Sequence, residues 1–488
     1  MQEIAENKTT IAEMTALLDQ ACAVIGDPTV TALCDAVMAG LAALLPFLDE
    51  QMRTLAWDIP LTFCSVIFPV CKQPCCDAAA PLAPEQLHLA LTGDAAEMRV
   101  AWVTLNATAA SAVRWGPAGG GSFPGSAAGS SWTYTVGGWV GVIHAATMTG
   151  LAAGGRYDYQ VGDGAEAWSA THTFSTLPAD VGGAARPLRL VQLGDMAYDV
   201  NSDNTVARIA ALVEAGQVDA VVHIGDISYA DGEQHHWDLF MRKIEPIAAS
   251  VPYLVVRGNH ELWWNFTAFA ARWSMPPARA YGAGAPGGAN GNLYFSLDLG
   301  PVHLTMFNTE TPDDTGSVDA PEVAWLEADL AAANASRAAT PWLVAGAHRP
   351  LYCTNGAWQS SDKDCAVFAG VMRGQAEQTF ARHGVDLVLG AHMHGFERTQ
   401  AVLGGKVVTP AANGTTYSAA GAPVYIVNGA AGNREGNDNP NGDAPWSVPG
   451  AHYSTIGFGL ITATSSRLQY DFVEAATGSV LDSAIWLK

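Results

Sequence analysis

The stretch VDAVVHIGDISYADG, residues 218–232, places an apolar run directly before a glycine–aspartate pair and a tyrosine three residues after that aspartate. Continuous apolar runs of this kind are typical of strands buried on both faces of a sheet. Other apolar runs in the same region also end in ligand-type residues: Asp195 after LRLVQL, Asn259 and His260 after PYLVV, His348 after PWLVAGA, and His392 and His394 after VDLVLGA. Because ligands of open α/β sheets bind at the carboxyl ends of the strands, we expect these side chains to converge in one crevice.

The same region alternates apolar runs with helical patterns such as NTVARIAALVEAG (204–216) and EVAWLEADLAAANA (322–335). This alternation predicts an α/β domain rich in βαβ units over residues 187–488. Residues 85–178 instead contain short alternating runs such as MRVAWVTL (98–105) and RYDYQVGDG (156–164), which predict a β-sandwich of the fibronectin type III kind. We therefore expect a multidomain chain.

The first 76 residues have a different pattern. Ile11, Met14, Leu18, Cys22 and Ile25 recur at the three-to-four spacing of one helix face. The segment DAAAPLAP (77–84) then interrupts the pattern as a linker would. A helical domain over residues 1–76 is the prediction.

Composition excludes some classes of function. The chain has 488 residues and a net charge of −23, with 24 Lys and Arg against 47 Asp and Glu, so it lacks the basic footprint of a nucleic-acid-binding protein. No apolar stretch reaches the roughly 18 residues of a transmembrane helix.

Sequence features of the secretory pathway conflict with the start of the chain. MQEIAENKTT lacks the basic and apolar regions of a signal peptide. However, six of the eight cysteines lie between Cys22 and Cys76, and there are sequons at Asn7, Asn106, Asn265, Asn334 and Asn413. We expect a secreted, vacuolar or lysosomal protein whose signal peptide is missing from this sequence, either by removal or because the gene model is incomplete.

Each candidate ligand has an ordinary structural explanation when it is considered alone. A Gly-Asp pair after a strand is usually a turn or a helix cap, a single histidine is usually a core residue, and a tyrosine at a strand end usually packs. Their occurrence, in order, at five strand ends favours a shared site. Two aspartates, an asparagine, three histidines and a tyrosine can supply oxygen and nitrogen ligands to two metal ions, with one aspartate bridging them.

The motifs GDMAYD, GDISY, GNHE, AHRP and AHMHGFER, in this order, resemble the five metal-ligand blocks of the purple acid phosphatases, within the calcineurin-like metallophosphoesterases. The resemblance extends from about residue 85 to 488 and includes the flank NGAAGNREG (428–436). It implies a ferric ion on Asp195, Asp226, Tyr229 and His394. It also implies a divalent ion, zinc, manganese or iron, on Asp226, Asn259, His348 and His392. Asp226 is then the bridge, and Tyr229 is the phenolate that marks an iron site.

The resemblance implies an acid phosphatase that hydrolyses phosphate monoesters with a metal-bound hydroxide. His260 is interpreted as the group that binds the phosphate and protonates the leaving oxygen. The alternative is that His260 only orients Asp226 or Asn259. Members of this family are often dimers, so the resemblance also raises a homodimer as an expectation.

Two positions depart from the family pattern. Ala197 and Ala391 stand where the family usually has glycine, and each adds a methyl group that could narrow the site or shift a loop. The block after His348 is closer to the animal and microbial style, in which Cys353 and Cys365 could close a loop by a disulfide.

A second resemblance covers residues 1–76. CAVIGDPTVTALC, LPFLDEQM and CSVIFPVC are similar to the later part of a saposin-like domain, which implies contact with lipid or a membrane surface. The Cys-x-x-Cys pair that normally opens that fold does not precede Cys22. Either the N-terminus is truncated, or Cys75 and Cys76 replace the missing partners of Cys64 and Cys71. A purely structural helical cap also fits the pattern.

The saposin resemblance leaves a second enzymatic hypothesis open, a phospholipid phosphodiesterase like acid sphingomyelinase. That branch has a histidine ligand at the position of Ala197, and the iron-type Tyr229 argues against it. A non-catalytic lipid-binding protein with a relict site is a third hypothesis, which the full ligand set disfavours.

Overall fold

The computed structural model describes residues 73–165, 167–281, 291–312, 314, 316–354, 364–418, 420–440 and 442–488. The saposin-like prediction for residues 1–76 therefore lies outside the described residues, apart from residues 73–76. Of these, Gln73 and Pro74 form a short strand, and the sulfurs of Cys75 and Cys76 are bonded to each other. The alternative in which this pair replaces the partners of Cys64 and Cys71 is thus wrong.

The first part of the described chain is a β-sandwich of two four-stranded sheets, with strand orders β2-β3-β8-β6 and β10-β9-β4-β5. Its strands are β1 (Gln73–Pro74), β2 (Glu85–Ala90), β3 (Met98–Thr104), β4 (Ala112–Pro117), β5 (Gly125–Ala128), β6 (Ser130–Trp132), β7 (Trp139–Val140), β8 (Val142–Met148), β9 (Arg156–Gly162) and β10 (His172–Ser175). The two short strands outside these sheets, β1 and β7, pair in parallel with each other. The predicted β-rich domain is confirmed.

The rest of the chain contains two larger sheets. Its strands are β11 (Leu188–Leu193), β12 (Ala220–Ile224), β13 (Tyr253–Val256), β14 (Phe295–Leu299), β15 (Val302–Met306), β16 (Trp342–Gly346), β17 (Leu387–Gly390), β18 (Phe396–Leu403), β19 (Lys406–Thr409), β20 (Thr416–Ser418), β21 (Val424–Asn428), β22 (Ser447–Tyr453), β23 (Gly457–Ala463), β24 (Arg467–Glu474) and β25 (Val480–Leu487). The strand orders are β13-β12-β11-β23-β24-β25-β20 and β14-β15-β16-β17-β21-β18-β19, with β22 beside β18.

Helices cover the outer faces of both sheets. The α-helices are α1 (Asp203–Glu214), α2 (Gln234–Ala248), α3 (Thr267–Arg272), α4 (Ala320–Ala335), α5 (Ala369–Met372) and α6 (Gln378–His383). Short 3-10 helices lie at Val136–Gly138, Val200–Ser202 and Asn259–Glu261, and π-helical turns at Asp364–Phe368 and Arg373–Glu377. No helix in the described ranges combines the length and the apolar character needed to cross a bilayer.

The core of this α/β domain lies between the two sheets. Leu190, Val222 and Leu254 of the first sheet pack with Leu304 and Val344 of the second, and all are nearly inaccessible to solvent. The opposite faces of the sheets bury the apolar sides of the helices, α1 and α2 on the first sheet and α4 on the second. The result is a four-layered α-β-β-α sandwich, so the prediction of an α/β domain is confirmed.

A buried polar network joins the β-sandwich to the α/β domain. Arg272 and Asp238 of the α/β domain form an ion pair of 2.9 Å whose side chains are 1% and 0% exposed. Gln86 of the β-sandwich bonds both members, at 3.1 and 3.2 Å, and Tyr134 and Trp139 bond Arg272 and Asp238, at 2.8 and 3.1 Å. A buried charge without hydrogen-bond partners is costly. The β-sandwich supplies partners for the buried ion pair of the α/β domain, so the two domains depend on each other at this interface.

Candidate metal centre

The predicted site residues lie where the carboxyl ends of strands from both sheets meet. Strands β11, β12 and β13 are parallel neighbours in the first sheet, and β16 and β17 are parallel neighbours in the second. Each of these strands is followed by one or more of the predicted residues: Asp195; Asp226 and Tyr229; Asn259 and His260; His348; His392 and His394. The structure thus brings all eight residues to one edge of the sandwich.

One group of side chains forms around the hydroxyl of Tyr229. This oxygen lies 3.1 Å from Oδ1 of Asp195 and 2.8 Å from Nε2 of His394. The other ring nitrogen of His394 donates to the carbonyl of Gly436 at 3.1 Å, which directs Nε2 towards the site. Tyr229 is 0% exposed, so its hydroxyl faces these groups rather than solvent.

The second group forms around Asp226. Nε2 of His348 lies 3.2 Å from Oδ2 of Asp226 and 3.1 Å from Oδ1 of Asn259, while its Nδ1 bonds the carbonyl of Ile224 at 2.9 Å. The rings of His348 and His392 lie 5.1 Å apart. There are two sets of potential ligand atoms, Asp226-His348-His392 and Asp195-Asp226-His394, and within each set the atoms lie within 4.8 Å of one another. The two sets share Asp226.

The backbone holds several of these residues in an unusual conformation. Asp195, Asp226, Tyr229 and His392 have φ angles of 59°, 49°, 51° and 68°. Non-glycine residues rarely adopt this left-handed region, and each costs on the order of 1 kcal/mol or more. The surrounding packing overcomes this cost, which is typical of residues whose direction matters for function.

Glycines let the backbone approach the carboxylates. A Cβ atom at Gly258 would lie 2.1 Å from Oδ1 of Asp226, and one at Gly194 would lie 2.3 Å from the Cβ of Ala391. The methyl group of Ala391 therefore occupies space beside a residue that has no side chain. Ala391 and Ala197 are both fully buried, and Ala197 donates its N–H to the carbonyl of Gly432 at 3.2 Å.

The electrostatics of the site favour positive charge. Burial alone would lower the pKa of His348, but the adjacent Asp226 carboxylate raises it to about 10. For His394, burial is likewise outweighed by Asp195, which raises the pKa to about 9. Burial, Asp195 and Asp226 together raise the pKa of the Tyr229 phenol well above its usual value. A cation would relieve this excess of negative potential.

His260 is positioned by residues that the sequence patterns did not identify. Its Nδ1 lies 2.6 Å from Oδ1 of Asp231, and its backbone N–H donates to Oδ1 of Asp226 at 3.0 Å. Nε2 of His260 lies 4.0 Å from Oδ2 of Asp226 and 3.7 Å from Oε1 of Glu435. Asp231 is itself within the GDISYADG stretch, five residues after Asp226, but nothing in that spacing indicates a contact with His260.

Glu261 is a second residue whose role the sequence patterns missed. Its carboxylate accepts hydrogen bonds from the backbone N–H groups of Asp226, Ile227 and Gly258, at 3.0, 3.0 and 2.7 Å. These bonds tie the segments after β12 and β13 together beneath the site. Burial and the nearby Asp226 raise the pKa of Glu261 to about 7. The adjacency of Glu261 to His260 in GNHE was the available signal.

A third cluster lies beside His392. Nε2 of His392 is 3.1 Å from Oδ1 of Asp364, and the buried Arg349 is paired with Asp314, Asp364 and Glu310. A disulfide joins Cys353 to Cys365, as the resemblance to the animal and microbial style had suggested. It fixes the segment that carries Asp364 to the segment that follows His348.

Comparison with known families identifies the fold and its class. Three family profiles match in order: the purple acid phosphatase N-terminal domain at residues 84–176, the calcineurin-like phosphoesterases at 188–396, and the iron/zinc purple acid phosphatase-like protein C at 422–483. The human protein named acid phosphatase type 7 is 35% identical over 371 residues, which cover 73% of this chain and 80% of that protein. The chain belongs to the purple acid phosphatase family.

Other relatives agree with this membership. Purple acid phosphatase 18 of Arabidopsis thaliana is 33% identical over 363 residues, covering 72% of each chain. The solved structure of a purple acid phosphatase from yellow lupin (Lupinus luteus) seeds has the same fold, with a TM-score of 0.71 at 24% identity over 83% of this chain and 75% of the lupin chain. The protein described here is therefore an enzyme, an acid phosphatase.

Proposed function

We propose that this purple acid phosphatase hydrolyses phosphate monoesters at a binuclear centre of Fe(III) and a divalent metal. The observation that carries the proposal is the pair of ligand-atom sets that share the buried Asp226. The proposed ferric site consists of Asp195, Asp226, Tyr229 and His394. The proposed divalent site, for zinc, manganese or iron, consists of Asp226, Asn259, His348 and His392.

The donor set fits such a centre. Oδ2 of Asp226 is buried and accepts no well-aligned hydrogen bond among the described residues, which leaves it available as a ligand atom. The buried phenol of Tyr229 resists deprotonation, because burial and the carboxylates around it raise its pKa. A hard trivalent cation at the neighbouring carboxylates would drive off that proton, whereas a divalent ion would do so less strongly.

The metals would polarise the phosphate oxygens and lower the pKa of a water molecule that attacks phosphorus. His260 supports the leaving group in this scheme. Asp231 holds Nδ1, so that Nε2 faces the space above Asp226, and the His260 side chain is 17% exposed to incoming substrate. Burial would lower the pKa of His260, but Asp226, Asp231 and Glu435 raise it well above 6.5, so the ring carries a proton to give to the leaving oxygen.

We also propose that the protein is secreted or delivered to a vacuole or lysosome as a glycoprotein. The asparagines of the described sequons, Asn106, Asn265, Asn334 and Asn413, are all exposed. The Cys353–Cys365 disulfide fits an oxidising compartment. The saposin-like domain over residues 1–76, its lipid contact and a homodimer rest on sequence resemblance alone and stay predictions.

The test combines metal analysis with substitution of Tyr229. The purified protein should contain iron, show a visible phenolate-to-iron absorption band, and hydrolyse a soluble phosphate monoester faster than sphingomyelin. Tyr229→Phe keeps the ring and removes the ligand atom, so it should abolish the band and weaken iron binding while circular dichroism stays unchanged. Tyr159→Phe is the control, because Tyr159 is a buried tyrosine on β9 of the β-sandwich whose hydroxyl donates to the carbonyl of Ala249 at 2.8 Å.

Two results would contradict the proposal. An active protein without iron, unchanged by Tyr229→Phe, would require a metallophosphoesterase of another metal type. Sphingomyelin as by far the best substrate would instead favour the phospholipid phosphodiesterase.

A further inference from the structure

The carboxylate of Glu435 faces the same space as His260. Its Oε1 lies 3.7 Å from Nε2 of His260, and its Oε2 lies 3.8 Å from Nε2 of His394. The side chain is 50% exposed, so it is open to a molecule that enters the site. Neither histidine nitrogen is within hydrogen-bonding distance of it, which leaves the carboxylate free to accept hydrogen bonds from a ligand.

The loop 432–438 presents Glu435 in a defined direction. Oδ1 of Asn433, which is 2% exposed, accepts the N–H of Glu435 at 2.9 Å. Gly436 accepts a hydrogen bond from the ring of His394, and Asp438 accepts one from its backbone N–H at 2.8 Å. The loop is therefore anchored to His394 on the far side of Glu435, and the position of this carboxylate is coupled to that of His394.

Among the described residues, the other side chains at the mouth of the site are mostly acidic. Asp231 and Asp364 are each 27% exposed, and Asp314 is 51% exposed. The guanidinium of Arg349 is 3% exposed and is already paired with three carboxylates. Arg434 points back to the backbone carbonyl of Tyr229, 3.5 Å away. These carboxylates outnumber the cationic side chains named here, so a negatively charged leaving group would meet a mainly negative surface in this part of the structure.

We propose that Glu435 selects the leaving group, favouring phosphate esters of alcohols that carry an ammonium or hydroxyl donor over those that carry a carboxylate or a second phosphate. The inference rests on the proposed function, because it places the leaving oxygen at His260 and hence beside Glu435. The acidic mouth of the site adds to the same preference. Asp231 contacts Nδ1 of His260, whereas Glu435 faces Nε2, the atom that would protonate the leaving oxygen.

Three esters that differ mainly in charge test this proposal with the holoenzyme. They are 2-aminoethyl phosphate, n-propyl phosphate and carboxymethyl phosphate, with a cationic, a neutral and an anionic leaving group. At about pH 6 the amine is protonated and the carboxyl group is ionised. The ratio of kcat/KM for each charged ester to that for the propyl ester is compared between variants, so the intrinsic reactivity of each ester cancels.

Glu435→Gln removes the negative charge, so it should lower the aminoethyl-to-propyl ratio of kcat/KM and raise the carboxymethyl-to-propyl ratio. Since solvent partly screens a half-exposed carboxylate, the first ratio should fall by roughly threefold to thirtyfold. Glu435→Lys should reverse the preference. Glu214→Gln is the control: it removes the same charge at an exposed position at the C-terminal end of α1, away from the carboxyl ends of the strands. Ratios unchanged in Glu435→Gln would overturn the proposal, and so would loss of iron or of its absorption band, since Glu435 would then be a ligand.

Binding of non-hydrolysable phosphonates separates this inference from the proposed function. Isothermal titration of the holoenzyme with 2-aminoethylphosphonate and propylphosphonate reports the same charge preference without turnover. If no ester is hydrolysed, the proposed function fails, and the dissociation constants still decide on Glu435. If the wild type binds 2-aminoethylphosphonate more tightly than propylphosphonate and Glu435→Gln removes this preference, the role of Glu435 is supported. If the ratio of the two dissociation constants is the same in the wild type and in Glu435→Gln, that role is refuted.

Discussion

Gly258→Ala provides a steric test of the site, because the backbone itself allows the substitution. Gly258 has φ −107° and ψ −175°, an extended conformation that alanine adopts without strain. The new N–H would still donate to Glu261, as the glycine does at 2.7 Å. The only consequence is the added methyl group, which would lie 2.1 Å from Oδ1 and 2.3 Å from the backbone N of Asp226.

The size of the effect follows from this overlap. Ordinary contacts begin at 3.4 Å, so the methyl group and the Asp226 carboxylate must separate by about 1.3 Å, the difference between 3.4 and 2.1 Å. A misplacement of about 1 Å in a catalytic arrangement can lower the rate by about a hundredfold. Overpacking in a buried region costs about 1–3 kcal/mol of unfolding free energy. We expect a protein that folds, binds its metals more weakly and turns over about a hundredfold more slowly.

The assay measures metal content, kcat and unfolding free energy for Gly258→Ala beside Gly374→Ala. Gly374 lies in the Arg373–Glu377 turn, and a Cβ there would meet no atom within 4 Å. Its replacement should leave activity unchanged and stabilise the protein by up to about 1 kcal/mol. Wild-type metal content and rate in Gly258→Ala would contradict this prediction and show that the backbone after β13 does not constrain Asp226.

Three further predictions concern other contacts. Asp231→Asn removes the carboxylate that holds His260, so the pKa of His260 should fall. The alkaline limb of the kcat–pH profile should then move to lower pH by about one unit. An unmoved limb would contradict the role of His260 as the proton donor. Gly194→Ala should destabilise the protein, because the new methyl group would contact Ala391. In thermal unfolding, the double variant with Ala391→Gly should recover part of the lost stability. If the stability changes of the two single variants simply add in the double variant, the contact is excluded. His303 is buried and lies away from the metal site. Burial would lower its pKa, but two aspartates raise the pKa to about 9, so up to about 3 kcal/mol of stability present below pH 6.5 should be lost as pH rises through 9. His303→Gln should flatten this pH dependence of the unfolding free energy.

The sequence predicted the elements that its apolar runs define. AVVHI and WLVAG are completely buried strands, and the helical pattern at 204–216 corresponds to α1. The convergence of Asp195 and Asp226 follows from topology, because β11 and β12 are parallel neighbours whose ends share one edge of a sheet. For these residues the local pattern was sufficient.

The residues that support the site could not be predicted in the same way. Asp231, Glu261 and Glu435 act through contacts that depend on how loops from different strands pack, and no spacing encodes such contacts. The antiparallel pairing of β11 with β23 is a similar case, because Leu190 and Ile461 are paired across a large sequence separation. Alternation within β24 indicates a half-buried strand but does not identify its neighbour.

The ion pair between Arg272 and Asp238 has a consequence for how the chain has diversified. Its satisfaction by Gln86, Tyr134 and Trp139 means that the β-sandwich carries part of the interior of its neighbour. Replacement of the β-sandwich by an unrelated domain would leave the guanidinium of Arg272 and the carboxylate of Asp238 buried without these hydrogen bonds. Cleavage of the segment that connects the two domains would leave two fragments that remain associated through the same network. We therefore expect exchange of the β-sandwich alone to destabilise the protein, whereas exchange of both domains together keeps this network intact.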